Sequence, residues 1–185
     1  GTALTEPSNT RVATPTSPFY IGFTSGSTGI PKGFRRHHQS WTESLRVCLD
    51  TFGPDAASCV MAPGRFSHSL FLFGMVLGLS SGAGVVVQER FSATRLLDTL
   101  RTGCTPCLVA VPSQLLLMLE LATRRKLAPI EGVRLILISG ARWMRDRSEA
   151  LQALFPKARI VEFYGASETS FIAWMDADAS APSQA

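Results

Sequence analysis

With 185 residues, 45% of them hydrophobic and 17% charged, the chain has the make-up of a soluble globular protein long enough to bury a real core. The formal charge of +4 is mildly basic, yet the basic clusters carry no zinc-finger, RNP or basic-zipper pattern, so no nucleic-acid partner is expected. No charge occurs between Arg65 and Glu89, and Gly74, Gly78 and Gly82 imitate the spacing of a membrane helix interface. The Ser80-Ser81-Gly82-Ala83-Gly84 turn splits that run into halves, each shorter than the roughly 20 apolar residues a bilayer requires. No membrane span is therefore expected.

Residues 1–17 are polar and rich in Pro and Thr, and read as a loosely ordered segment preceding a core over 18–175, with a tail over 176–185. No basic-then-apolar leader opens the chain, and the expected location is the cytoplasm. The apolar run Phe19-Tyr20-Ile21-Gly22-Phe23 predicts a strand. It enters Thr24-Ser25-Gly26-Ser27-Thr28-Gly29-Ile30-Pro31-Lys32-Gly33, which holds three glycines, four hydroxyls and one lysine. Glycine lets the backbone approach a ligand closely, successive N–H groups form an anion-binding concavity, and the hydroxyls and Lys32 add donors for phosphate oxygens. The spacing differs from a Walker A loop, which needs four residues between its glycines and Gly-Lys-Ser/Thr at its end.

Helical spacing of Trp41, Leu45, Cys48 and Leu49 predicts a helix over 37–52, stopped by Gly53-Pro54. A short strand over 57–62 ends at Pro63-Gly64, and the pattern then repeats. Helix 70–79 leads to strand 84–88. Ser92 caps helix 93–101, and strand 108–111 precedes a helix over 113–125. Strand 134–139, a helix over 145–155 and strand 159–163 complete the series. The Cys104-Thr105-Pro106-Cys107 sequence leads into a strand, where a redox C-x-x-C would open a helix, so the four cysteines read as structural thiols in a reducing compartment. Short Val/Ile/Leu strands alternating with helices predict an α/β fold: a mostly parallel sheet with helices on both faces and ligands beyond the strands' carboxyl ends. The glycine-rich loop, residues 63–68, 139–142 and 164–169 are expected to leave those ends.

Tyr164-Gly165-Ala166-Ser167-Glu168-Thr169 follows the last predicted strand. A tyrosine ring can stack on a purine, Ser167 can donate to a phosphate, and Glu168 is a hard oxygen ligand suited to Mg2+. Together the two stretches resemble the adenylate-forming superfamily of acyl- and aryl-CoA synthetases, luciferases and nonribosomal peptide adenylation domains. Residues 24–33 match its phosphate loop throughout, and 164–168 match its Tyr-Gly-x-[Thr/Ser]-Glu motif. Residues 63–68 are similar to the segment that sets a histidine beside the reacting carboxylate, here His68. Ile138-Ser139-Gly140-Ala141-Arg142 is similar to the Ser-Gly-Gly turn that cradles adenine, with Ala141 in place of the second glycine.

The resemblance implies activation of a small-molecule carboxylic acid by Mg-ATP to an acyl-adenylate, then transfer to a thiol, that of CoA or phosphopantetheine. It implies Thr24, Ser25, Gly26, Ser27, Thr28, Gly29 and Lys32 on the β- and γ-phosphates, Ser167 on the α-phosphate and Glu168 on Mg2+. Tyr164, Gly165, Gly140 and Ala141 would hold adenine, with Lys32, His68 and Glu168 nearest the chemistry. The family's later motifs, a Gly-Asp segment and a C-terminal domain with its lysine, are missing, so a piece of a parent acid–thiol ligase is expected, inactive when isolated. A domain loading an acyl carrier protein and a non-catalytic nucleotide-binding module remain as alternatives.

Overall fold

The computed structural model describes residues 12–25, 31–177 and 183–184. A hairpin of β1 (Pro18–Ser25) and β2 (Pro31–His37) forms a two-stranded antiparallel sheet of its own. Helix α1 (His38–Phe52) follows, capped at its start by the His37 ring, whose Nδ1 accepts from the Ser40 amide. The rest of the chain alternates: β3 (Val60–Ala62), α2 (Ser69–Ser80), β4 (Val85–Val87), α3 (Ala93–Arg101), β5 (Cys107–Ala110), α4 (Pro112–Arg125) and β6 (Leu135–Ile138). A 3-10 turn (Arg145–Arg147) then leads into α5 (Ser148–Leu154), β7 (Arg159–Ala166), β8 (Ser170–Asp176) and β9 (Ser183–Gln184).

These last strands build one seven-stranded sheet in the order β4-β3-β5-β6-β7-β8-β9. The first five run parallel, and β8 and β9 return antiparallel. β3, β5 and β6 are wholly buried because both faces of the sheet are covered. On one face Val60, Cys107, Val109, Leu135, Leu137 and Val161 pack with α1 and α2. On the other, Met61, Leu108, Ile136, Ile138 and Ile160 pack with α3, α4 and α5. Helices of successive connections therefore leave β3 and β5 toward opposite faces, which opens a crevice between their carboxyl ends.

The uncharged stretch forms the buried helix that its composition predicts, but the strand after it lies partly exposed at the sheet edge where a buried strand is expected, and no helix among the described residues is long and apolar enough to cross a membrane. The glycines of α2 serve close packing on the sheet. A Cβ at Gly74 would lie 2.6 Å from Val109 Cγ2, and one at Gly78 would lie 2.3 Å from the Gly84 carbonyl oxygen.

Three sequence expectations are corrected here. The glycine-rich loop does not leave the carboxyl end of a strand in the main sheet. It joins β1 to β2, because residues 31–37, of which 31–33 are expected as loop and His37 as the start of a helix, pair with β1 from Ser25↔Pro31 to Pro18↔His37. The alternation in β1, with Gly22 buried while Phe19, Ile21 and Phe23 are exposed, is that of a two-faced hairpin strand. Residues 164–166, expected to open the loop after the last strand, extend β7 instead, and residues 170–176 form β8, whose Phe171 and Trp174 pack against the α1 face of the core. The expected helix over 145–155 is a 3-10 turn and a seven-residue helix.

Replacement of Gly78 by alanine tests this packing. Alanine favours a helix by about 1 kcal/mol, but the collision here is with backbone that cannot rotate away, and overpacking costs about 1–3 kcal/mol. Thermal and urea unfolding are expected to show a net loss of stability for Gly78→Ala, and an unchanged or raised melting temperature would contradict the packing described.

Candidate functional site

Four segments meet above the carboxyl edge of the sheet: the end of β1, residues 63–68 after β3, 139–142 after β6, and the turn joining β7 to β8. They enclose a cavity of about 280 Å³ lined at its mouth by Thr24, His68, Ser69, Ser139, Gly140, Ser167 and Glu168. Its apolar wall consists of Trp41, Leu70, Phe73, Phe163 and Phe171. A second cavity of about 410 Å³ continues past the shared residues Ser139, Gly140, Phe163 and Gly165 to Ala141, Arg142, Glu162, Tyr164 and Trp174. Cavities with apolar walls and a few converging polar groups suit small organic ligands.

Two residues expected to serve one ligand from distant stretches are in direct contact. The Thr24 hydroxyl donates to Glu168 Oε1 at 3.4 Å, 144 residues apart in sequence. Lys32 stands directly across the hairpin from Thr24 and is exposed. Ser25 ends β1, paired with Pro31. Gly26, Ser27, Thr28 and Gly29 lie outside the described residues. On the sheet side, Ser167 Oγ lies 2.9 Å from Ser69 Oγ, which ties the β7–β8 turn to the first turn of α2. Gly165 is required by close approach, since a Cβ there would stand 2.2 Å from the Ser170 carbonyl oxygen. Tyr164 is 68% exposed on the rim of the second cavity, opposite the turn of Gly140 and Ala141. Gly140 adopts φ of 87°, in the left-handed region that favours glycine.

His68 opens α2 as its N-cap. Its Nδ1 accepts from the Leu70 amide at 3.3 Å, and its ring packs against Phe71 with centroids 5.3 Å apart. One edge of the ring stays open to the cleft, and a Cβ at Gly140 would lie 3.7 Å from its Nε2. Partial desolvation holds the His68 pKa below its ordinary value. The capping bond acts in the same direction, because Nδ1 must be unprotonated to accept. The neutral ring then carries its proton on Nε2, toward the cleft.

Sequence reasoning missed the residues that brace these loops. Gln114 is buried, its Nε2 donating to the Pro63 carbonyl at 2.8 Å while its Oε1 accepts from the Val111 amide at 3.2 Å. It thereby stitches the loop after β3 to the start of α4 across the crevice between β3 and β5. The signal was present: a glutamine at the third position of a helix is half of a capping box. Trp143, 1% exposed, gives its backbone N–H to Glu162 Oε1 at 3.0 Å and its ring N–H to Ser148 Oγ at 2.9 Å, pinning the 139–142 turn onto β7. Cys104 and Cys107 show no sign of redox activation. Cys107 is fully buried and burial pushes its thiol pKa up, opposite to a reactive thiol, and Cys48 is pushed up to about 12 for the same reason.

A profile of the family described as AMP-binding enzyme matches residues 2–185. This chain belongs to that family. Among curated relatives, it is 37% identical over 158 residues to the uncharacterized acyl-CoA ligase YhfT of Bacillus subtilis strain 168, covering 85% of this chain and 32% of that protein. It is 34% identical over 170 residues to the putative long chain fatty acid-CoA ligase VraA of Staphylococcus epidermidis, covering 86% and 34%. Among solved structures, a malonyl-CoA ligase with methylmalonyl-CoA and AMP bound superposes with a TM-score of 0.78 at 25% identity, over 89% of this chain and 36% of that one. The chain thus spans about a third of the length of these curated relatives.

The His68 environment yields a titration test. Its Cε1 proton resonance is expected to titrate with a midpoint below that of an unstructured histidine peptide. An unfolded chain then binds the proton more readily than the folded one, so this contribution to stability is present above the ordinary histidine pKa and fades as pH falls toward the folded value. A midpoint at or above the peptide value would contradict the capping geometry.

Proposed function

We propose that the cleft is the Mg-ATP and carboxylate site of an AMP-forming acid–thiol ligase, and that residues 18–175 are the nucleotide-gripping part of its adenylation domain. The observation that carries this reading is the Thr24–Glu168 contact: a glycine-rich hairpin end and an acidic turn share one mouth. On this reading Thr24, Ser25, Lys32 and residues 26–29 face the β- and γ-phosphates, and Ser167 faces the α-phosphate. Tyr164, Gly165, Gly140 and Ala141 line the adenine end. The donors fit a magnesium ion. Glu168 and Thr24 offer hard oxygens, and no cluster of three acidic, histidine or cysteine side chains that could cage a metal occurs among the described residues. Mg2+ is commonly held by one or two carboxylates together with substrate phosphates. Bound there, it would neutralise charge on the departing pyrophosphate.

The chain's own residues then have defined tasks. The acid enters with its organic part against Trp41, Leu70, Phe73 and Phe171, and its carboxylate lies at the mouth near His68 Nε2–H, which can donate to it. Attack on the α-phosphorus breaks the bond to pyrophosphate and forms a mixed anhydride with AMP. Positioning and charge neutralisation carry most of such a step, so fixed donors matter more than proton transfer. A thiol then displaces AMP to give the thioester, a step that belongs to the whole protein. CoA is the favoured thiol, because the 37% and 34% identical relatives are named as CoA ligases. Free thiols at Cys48, Cys59, Cys104 and Cys107 suit a reducing cytoplasm.

The decisive assay is acid-dependent exchange of pyrophosphate into ATP by the full-length ligase. Lys32→Ala is expected to slow exchange by about 100-fold while sparing thioester formation from supplied acyl-adenylate; equal loss in both steps would remove its phosphate role. Glu168→Gln is expected to raise the Mg2+ concentration at half-maximal exchange, and an unmoved magnesium titration would remove that assignment. Absence of exchange with every carboxylic acid tried would favour a binding module instead.

A further inference from the structure

Arg36 is a buried cation that neither the motifs nor the cleft lining brings to notice. It lies on β2 opposite Tyr20 and is only 5% exposed. Its Nε donates to Ser40 Oγ at 3.1 Å and its Nη2 to the Ser40 carbonyl at 2.9 Å, both in the first turn of α1. Its Nη1 donates to Ser170 Oγ, and the guanidinium sits 5.8 Å from the centre of the Trp41 ring. None of the ion pairs among the described residues includes Arg36. Burial without a carboxylate disfavours the charge, and an apolar side chain would fill the space at lower cost. What the guanidinium supplies, and an apolar group cannot, is a directed link between three elements.

The link matters because of what Ser170 adjoins. Ser170 begins β8 two residues after Glu168, at φ of 59°, and its carbonyl packs against Gly165. Among the described residues, only two side-chain hydrogen bonds join the β1–β2 hairpin to the β7–β8 turn: Thr24 to Glu168 and Arg36 to Ser170. The first is exposed and long, and both of its partners are the groups offered to the ligand. A metal and phosphates arriving there would draw on the same oxygens. The second is part-buried, has a charged donor, and stands behind the ligand site.

We propose that Arg36 is a positioning residue of the nucleotide site. It clamps the Glu168 turn to the glycine-rich hairpin, so that the two halves of the phosphate grip keep their spacing when the Thr24–Glu168 contact is given up to the ligand. This rests on the Mg-ATP reading of the cleft. The clamp serves ligands that span both halves and is indifferent to ligands held by one. AMP lacks the β- and γ-phosphates that would reach the hairpin, so the ratio of AMP to Mg-ATP dissociation constants reports the clamp separately from general integrity of the fold.

The test is binding of AMP and of Mg-ATP to the full-length ligase chain by ligand-observed NMR, with thermal unfolding measured alongside. Arg36→Met is expected to weaken Mg-ATP by about tenfold or more, the worth of one charged hydrogen bond, while AMP affinity stays within about twofold. Ser170→Gly removes the acceptor but suits the left-handed backbone, and is expected to reproduce the same split. It serves as the reading should Arg36→Met fail to fold. Arg36→Lys, which keeps a donor, is expected to fall between. Equal weakening of both nucleotides, or no change in either, would overturn the clamp and leave the nucleotide site standing. Failure of the unaltered chain to bind either nucleotide would overturn both.

Discussion

The cleft depends on a hairpin that belongs to a different sheet being held over the carboxyl edge of the main one. β1 and β2 are paired only with each other, and their hold on the rest of the molecule comes from side chains. Trp41 receives Phe19 and Tyr20 edge-on, at centroid separations of 5.2 and 5.8 Å. Arg36 reaches α1 and β8, and Thr24 meets Glu168. Without these contacts the hairpin end at Thr24 would have no defined distance to the turn that carries Glu168.

The main sheet supplies the opposite half by simpler means. Parallel strands buried on both faces must end at a common edge, and the loops leaving that edge are brought together whatever their sequence. The loops here are then tightened individually. Gln114 joins the 63–68 loop to α4, Trp143 and Glu162 fix the 139–142 turn, and Ser69 and Ser167 tie α2 to the β7–β8 turn. Each is a short polar bond in a water-poor place, where leaving a group unpaired costs about 1–3 kcal/mol. Such bonds hold loop positions more sharply than apolar packing does. The residues that brace the loops are drawn from α2, α4, α5 and β7, elements far apart in the chain.

Much of this was legible in the sequence, and unevenly so. The α/β class followed from short apolar runs alternating with amphipathic ones, since burial on both faces of a strand and one face of a helix leaves different periods. The stretches at 24–33 and 164–169 stood out because glycine, hydroxyl, lysine and carboxylate groups fall there at close spacing, although residues 31–33 and 164–166 belong to strands. Residues 31–37 and 170–176 were not legible as strands. Arg35, Arg36 and His37 look like solvated surface, and only pairing with β1 places Arg36 inside. The bracing roles of Trp143 and Ser69 were equally hidden, and of Gln114 only the helix-capping half was legible, because a hydrogen bond between distant segments leaves no local periodicity.

By itself, the sequence determined the α/β class, most of the alternating helices and strands, and which stretches bring glycine, hydroxyl, lysine and carboxylate groups close together. Those are properties of neighbouring residues, set by backbone freedom, side-chain period and local charge. Only the tertiary structure decided that Thr24 meets Glu168, and that a buried arginine bridges hairpin and sheet. Contacts between residues more than a hundred positions apart arise from how whole faces bury one another, and no short stretch of chain contains that information.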